Sequence, residues 1–127
     1  MTVNGTALGL FVHVESIKKE FLHENFDNPE GNLYEGTLSD FDERLIDTFE
    51  PKFDWMGPSR ADLQAVADAL LVDDDALRGA ALDAVIDLDE FLTFWAAEVL
   101  LVHLDGYASN RNNFYVYAHP VDGRFVF

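Results

Sequence analysis

Leu10, Val12 and Val14 alternate with Phe11, His13 and Glu15, the period-two pattern of a strand, and Asn4-Gly5 upstream is a hairpin-turn dipeptide. The first fifteen residues therefore predict a β-hairpin. Ser16 fits the N-cap of a helix running through Phe26, with Ile17, Phe21 and Leu22 on one face, and Asn28-Pro29-Glu30-Gly31 closes it before a short strand around Leu33-Tyr34. From Thr37 to Gly57, acids mix with Phe41, Phe49, Phe53 and Trp55 without a clean period, which predicts a loop with short helical turns. Ser59 with Asp62 makes a capping pattern, and Leu63, Val66, Ala67, Leu70 and Leu71 recur at helical spacing up to about Asp73.

Asp75 to Val85 predicts another short helical piece. Asp87 or Asp89 can then cap a long helix from about Glu90 to Val102. Its Phe91, Leu92, Phe94, Trp95, Val99, Leu100, Leu101 and Val102 cover nearly every side, the mark of a central buried helix. Glu98 interrupts that apolar run and is expected to pair with a basic residue. Phe114 to Tyr117 and Arg124 to Phe127 read as a closing hairpin around Asp122-Gly123. The pattern predicts an α+β fold, with two β-hairpin regions flanking a helical middle. There is no internal repeat and no low-complexity segment.

At 127 residues the chain suits one domain. Eleven Phe, four Tyr and two Trp can fill its core. Charge narrows the partners: 24 Asp plus Glu against 8 Lys plus Arg give a formal net charge of −16, which opposes nucleic-acid binding and repels free nucleotide. Such a surface confers solubility, and it would attract a basic protein substrate. The absence of cysteine removes disulfides, thiolate metal sites and thiol nucleophiles. No signal-peptide pattern follows Met1, and no apolar run approaches the roughly 20 residues of a membrane span.

Candidate chemistry gathers in His103-Leu104-Asp105-Gly106-Tyr107-Ala108-Ser109-Asn110-Arg111-Asn112-Asn113, between the last helix and a strand. Asp105 and Asn110 stand five positions apart. Protein-kinase catalytic loops use that offset, because the aspartate must meet a substrate hydroxyl while the asparagine oxygen turns onto a metal. Asp105 could orient a hydroxyl nucleophile, Asn110 could offer Mg²⁺ a neutral oxygen, and His103 could orient Asp105. The same residues also fit a plain helix-end turn, with Gly106 as a left-handed cap and asparagines tying down a loop.

Other constellations are weaker. Asp122-Gly123-Arg124 lies where a second metal carboxylate would be useful, but Asp-Gly between two strands is more simply a hairpin turn. No Walker-type phosphate loop and no V-A-I-K strand occurs, and Lys18, Lys19 and Lys52 form no phosphate cradle. Placing Glu90 at the last position of an EF-hand loop puts Ala84 where glycine is required, which excludes that motif. Asp73-Asp74-Asp75 reads as a solvated helix end. His13, His23, His103 and His119 have no metal-ligand spacing.

Taken together, Val3-Asn4-Gly5, Gly9-Leu10-Phe11-Val12-His13-Val14-Glu15, Gly31-Asn32-Leu33-Tyr34 and above all Asp105-Gly106-Tyr107 with Asn110 to Tyr117 resemble the CotH kinase family of atypical spore-coat and cell-surface protein kinases. The resemblance spans nearly the whole chain. It implies a partial protein-kinase-like fold over residues 1–127, with Asp105 as the catalytic aspartate. It also implies Asn110 and Asn113 as metal-facing or loop-organising residues, with Asn112 in the same block, and Glu15 at an acidic position tied to cofactor binding. ATP and Mg²⁺ would be the cofactors, serines of a protein the acceptors, and the cell surface or spore coat the location.

Three departures stand out. The family continues into a Trp-Asp segment after a strand like Phe125-Val126-Phe127, and it carries a basic region ahead of a segment like Val3-Asn4-Gly5. Glu35 replaces the lysine often found after Leu-Tyr. The expectation is an internal piece of a larger kinase, truncated at both ends and inactive alone. A non-catalytic acidic binding or surface domain is the alternative, and an acidic cation-binding module a third.

Overall fold

The computed structural model describes residues 2–12 and 14–127. The reading of His13 as a strand residue lies outside them. A two-stranded hairpin comes first, β1 (Thr2–Val3) and β2 (Thr6–Ala7), turning on Asn4 and Gly5, both at positive φ. Then follow α1 (Lys19–Asn25), β3 (Asn32–Thr37), β4 (Glu50–Phe53), α2 (Ala61–Leu70), α3 (Asp75–Asp83) and α4 (Leu88–Leu100). The short α5 (Tyr107–Asn110), β5 (Asn112–Ala118) and β6 (Phe125–Val126) complete the order. The α+β expectation is met.

The main sheet is antiparallel in the order β4-β3-β5-β6. Strand alternation sends successive side chains to opposite faces, so the sheet feeds two apolar cores. On one face Tyr34, Phe114, Val116, Ala118 and Phe125 pack with Phe41, Phe49 and Leu63 and Val66 of α2. On the other, Leu33 and Tyr117 meet Leu22 of α1. Fully burying one such side chain stabilises by roughly 1.5–3 kcal/mol, so these two layers hold the sheet in place.

Several expectations need correction. Leu10, Val12 and Val14 form no strand and are 99%, 85% and 79% exposed, because alternation specifies a strand only where a neighbour pairs with it. The first helix is capped by Lys18 and starts at Lys19, so Ser16 is not its N-cap. Strand β4 lies inside the supposed loop. Its Glu50 and Pro51 hide the pattern, and proline is tolerated because β4 is the sheet edge. Asp62 does not cap α2; its carboxylate accepts hydrogen bonds from the Tyr34 hydroxyl and the Asn32 amide, tying α2 to β3. Helix α4 is capped by Asp87, as expected, but is not central. Phe91 and Phe94 reach the core, while Leu92, Trp95, Val99 and Leu100 stay exposed. The Asp122-Gly123 hairpin turn is present, with Gly123 at φ 74°.

Candidate functional site

Helix α4 ends in a way that sets up the loop behind it. Val102 takes the left-handed conformation at φ 53°, its N–H bonds the Val99 carbonyl at 3.2 Å, and the His103 N–H reaches the Glu98 carbonyl at 2.9 Å. These two bonds are the paired closure of a Schellman motif. The β-branched Val102, not Gly106, occupies the left-handed position, a strained placement for such a residue. Gly106 is needed for space instead. A Cβ there would stand 2.1 Å from Glu98 Oε1 and 2.4 Å from His103 Nδ1.

Glu98 is the buried acid of the site, 7% exposed. Its Oε1 accepts the Tyr107 N–H at 3.1 Å, its Oε2 the Ala108 N–H at 2.7 Å, and His103 Nδ1 lies 3.1 Å from Oε1. Glu98 does pair with a basic residue. It also supplies the cap that Gly106, the N-cap of α5, has no side chain to give. His103 contacts Glu98 rather than Asp105 through its ring nitrogen.

Asp105 projects from this platform into solvent. Asn110 Nδ2 donates to its Oδ1 at 2.7 Å, Asn112 Nδ2 to the same oxygen at 3.2 Å, and Asn113 Nδ2 to Oδ2 at 2.6 Å. Asn113 also donates to the Asp105 carbonyl at 3.1 Å. The Asn110 bond first, then those from Asn112 and Asn113, hold the Asp105 carboxyl below the usual carboxylate range, and the charge of His103 adds a smaller pull the same way. The three asparagines can converge because Arg111 and Asn113 both adopt left-handed backbone, at φ 53° and 50°. The loop is anchored to the start of the β3–β4 connection by the Tyr107 hydroxyl donating to Asp40 at 3.2 Å and by the Ser39 N–H donating to the Arg111 carbonyl at 2.9 Å.

Asn110 and Asn113 thus turn their amide nitrogens to Asp105. Asn112 Oδ1 is buried with no hydrogen-bond partner, on the side chain whose Nδ2 donates to Asp105. One carboxylate and neutral amide oxygens suit the chemistry of Mg²⁺, which takes oxygen ligands and usually completes its shell with water and substrate phosphates. No cluster of three His, Cys, Asp or Glu that could hold a metal occurs among the described residues. Glu15 is exposed, outside any helix or strand, and not among the groups around Asp105.

One cluster escapes a reading of the sequence. Lys52 sits in a bulge of β4, where the register shifts between Leu33 and Tyr34. The bulge brings its ammonium 2.5 Å from Glu35 and 2.9 Å from Glu50. Tyr115, paired with Glu35 across β3 and β5, donates its hydroxyl to Glu35 at 3.0 Å. Lys52 and Glu35 are seventeen positions apart, and only the sheet register joins them.

Helix, loop and strand together thus hold an exposed aspartate among three asparagine amides. The chain matches the family model for CotH kinase protein over residues 1–127, and it belongs to the CotH kinase family. No curated protein and no solved structure matches the chain. Among the described residues, no helix is long and apolar enough to cross a membrane.

Proposed function

We propose that Asp105 is the catalytic carboxylate of a protein kinase that moves phosphate from ATP to serine hydroxyls of protein substrates. The observation carrying this reading is the exposed Asp105 carboxylate fixed by three asparagine amides. Asp105 accepts the serine O–H hydrogen bond and takes its proton as the serine oxygen bonds the γ-phosphorus. The bond from that phosphorus to the departing ADP oxygen breaks, and ADP keeps the electron pair. Phosphoryl transfer asks little covalent chemistry of the protein, so a carboxyl held below its usual range serves as an orienting acceptor rather than a strong base. Mg²⁺ when bound would supply charge neutralisation at the phosphates, with Asn112 Oδ1 and the oxygens of Asn110 and Asn113 as its candidate ligands.

These 127 residues alone are expected to be inactive. Among the described residues, Lys52 and every arginine are ion-paired with carboxylates, which leaves Lys18 and Lys19, at the start of α1, as the lysines outside such pairs. Transfer of radiolabelled phosphate to a basic, serine-rich protein by the natural polypeptide carrying this chain tests the reading. Asp105→Asn should abolish transfer without unfolding the protein, and undiminished transfer by that variant would sink it. The ion-paired cations and the net charge of −16 also favour a second reading, an acidic binding or surface domain without catalysis. Absence of nucleotide binding by the natural polypeptide in a titration with Mg²⁺ would select it.

A further inference from the structure

On the α1 side of the sheet lies a cleft of about 280 Å³, lined by Phe21, Phe26, Phe94, Tyr115, Phe127 and other apolar groups. Its one side-chain amide is Asn113, the residue whose Nδ2 stands 2.6 Å from Asp105 Oδ2. Whatever fills this cleft therefore lies within one side chain of the proposed catalytic carboxylate. The volume falls just under the roughly 300–1,000 Å³ of sites that enclose a cofactor or drug-sized ligand. It suits a single large side chain better than a nucleotide.

We infer that the cleft is a specificity subsite of the phosphotransfer site, receiving a large apolar side chain next to the acceptor serine in a basic peptide. This rests on the reading of Asp105 given above. Charge selects the peptide: a chain of net charge −16, with the exposed Asp105 carboxylate bonded to Asn113 of the lining, attracts cationic flanks. Apolar burial selects the neighbour of the serine. A phenylalanine moving from water into such a lining should improve binding at least about tenfold over alanine. The polar backbone of the peptide stays at the mouth, where Asn113 and Asp105 meet it.

Fluorescence anisotropy on the whole chain at low salt tests this, using labelled lysine-rich peptides with one serine and with Phe, Leu or Ala immediately before or after it. The expected result is Phe and Leu at least about tenfold tighter than Ala on one side of the serine, and loss of binding when the lysines become glutamates. Ile17→Trp, at the half-buried rim, should remove the Phe preference and leave the Ala peptide unchanged. Backbone amide NMR on the unaltered chain provides the second measurement, with shifts on adding the Phe peptide expected at Phe21, Phe26 and Tyr115. Equal affinities for Phe and Ala on both sides, or shifts confined elsewhere, would overturn the inference. So would a concentration-dependent dimer abolished by Ile17→Trp, which would give the cleft to a second copy. Asp105→Asn separates the two readings: peptide preference without any phosphate transfer by the natural protein would reject only the kinase mechanism, and transfer without preference only the subsite.

Discussion

Glu98 and Asp105 are two carboxylates seven residues apart on one helix-loop unit, and their surroundings are opposite. Glu98 is buried and bonded to backbone N–H groups, whereas Asp105 is exposed and bonded to side-chain amides. A buried carboxylate on backbone donors fixes the chain, because removing it strands those donors away from water. An exposed carboxylate on side-chain donors keeps a fixed direction and stays open to a substrate. The first builds the platform and the second stands on it. Removing each should therefore break a different property of the protein.

The largest effect should follow Asp105→Asn. A positioned proton acceptor contributes typically 10²–10⁴-fold to rate, so phosphate transfer by the natural protein should fall by about that factor. Its thermal midpoint should barely move, since exposed substitutions away from packing usually change stability by within about 0.5 kcal/mol. Glu98→Ala should do the reverse. Two α5 N–H groups lose their acceptor, at a cost of about 1–3 kcal/mol, and a melting curve should fall by several degrees. Glu98→Gln keeps one acceptor oxygen and should fall between. If Glu98→Ala lowered transfer without lowering the melting temperature, the division between platform and reactive group would be wrong.

Gly106→Ala probes the contact between the two. The added methyl would collide with Glu98 Oε1 and His103 Nδ1, so it must push the carboxylate off its cap. Overpacking of this kind costs typically about 1–3 kcal/mol. Because Glu98→Ala has already removed the carboxylate, the double variant should be less unstable than the two losses summed. A melting series of the singles and the double measures that coupling.

The local signals of the loop were legible: the five-residue offset of Asp105 and Asn110, the run of asparagines and the helix before them. Non-local effects were not. Apolar residues all round α4 implied burial, yet a helix is central only if elements cover every side, and nothing among the described residues covers Leu92, Val99 and Leu100. The cap of α5 comes from a residue nine positions before its first turn, a distance no capping pattern spans. Strand β4 was masked by Pro51, and Lys52 meets Glu35 only through a bulge. Tyr34, Asn32 and Asp62 form a network whose members are up to thirty positions apart. Short-range chemistry shows in the chain order, while burial and pairing need the register.

The smallest effect should be a shift in pH dependence. The Asp105 carboxyl lies below its ordinary range, with the Asn110 amide as the largest cause. The unfolded chain thus binds the proton more readily than the folded one in the interval between the two values. The ionised, amide-bonded form stabilises the fold at and above the ordinary carboxylate range, and that contribution is lost as pH falls through the lowered folded value. Asn110→Ala removes the strongest donor, so the Asp105 titration should move up toward the ordinary range, and Asn113→Ala should move it less. A carboxyl-carbon NMR titration reads the shift directly, and the acid limb of phosphate transfer should move the same way if Asp105 must be ionised to receive the serine proton. The Tyr107 and Ala108 backbone amides bonded to Glu98 should keep their NMR shifts in both variants. Movement of those amides along with the Asp105 titration would mean that platform and reactive carboxylate are one coupled unit rather than two.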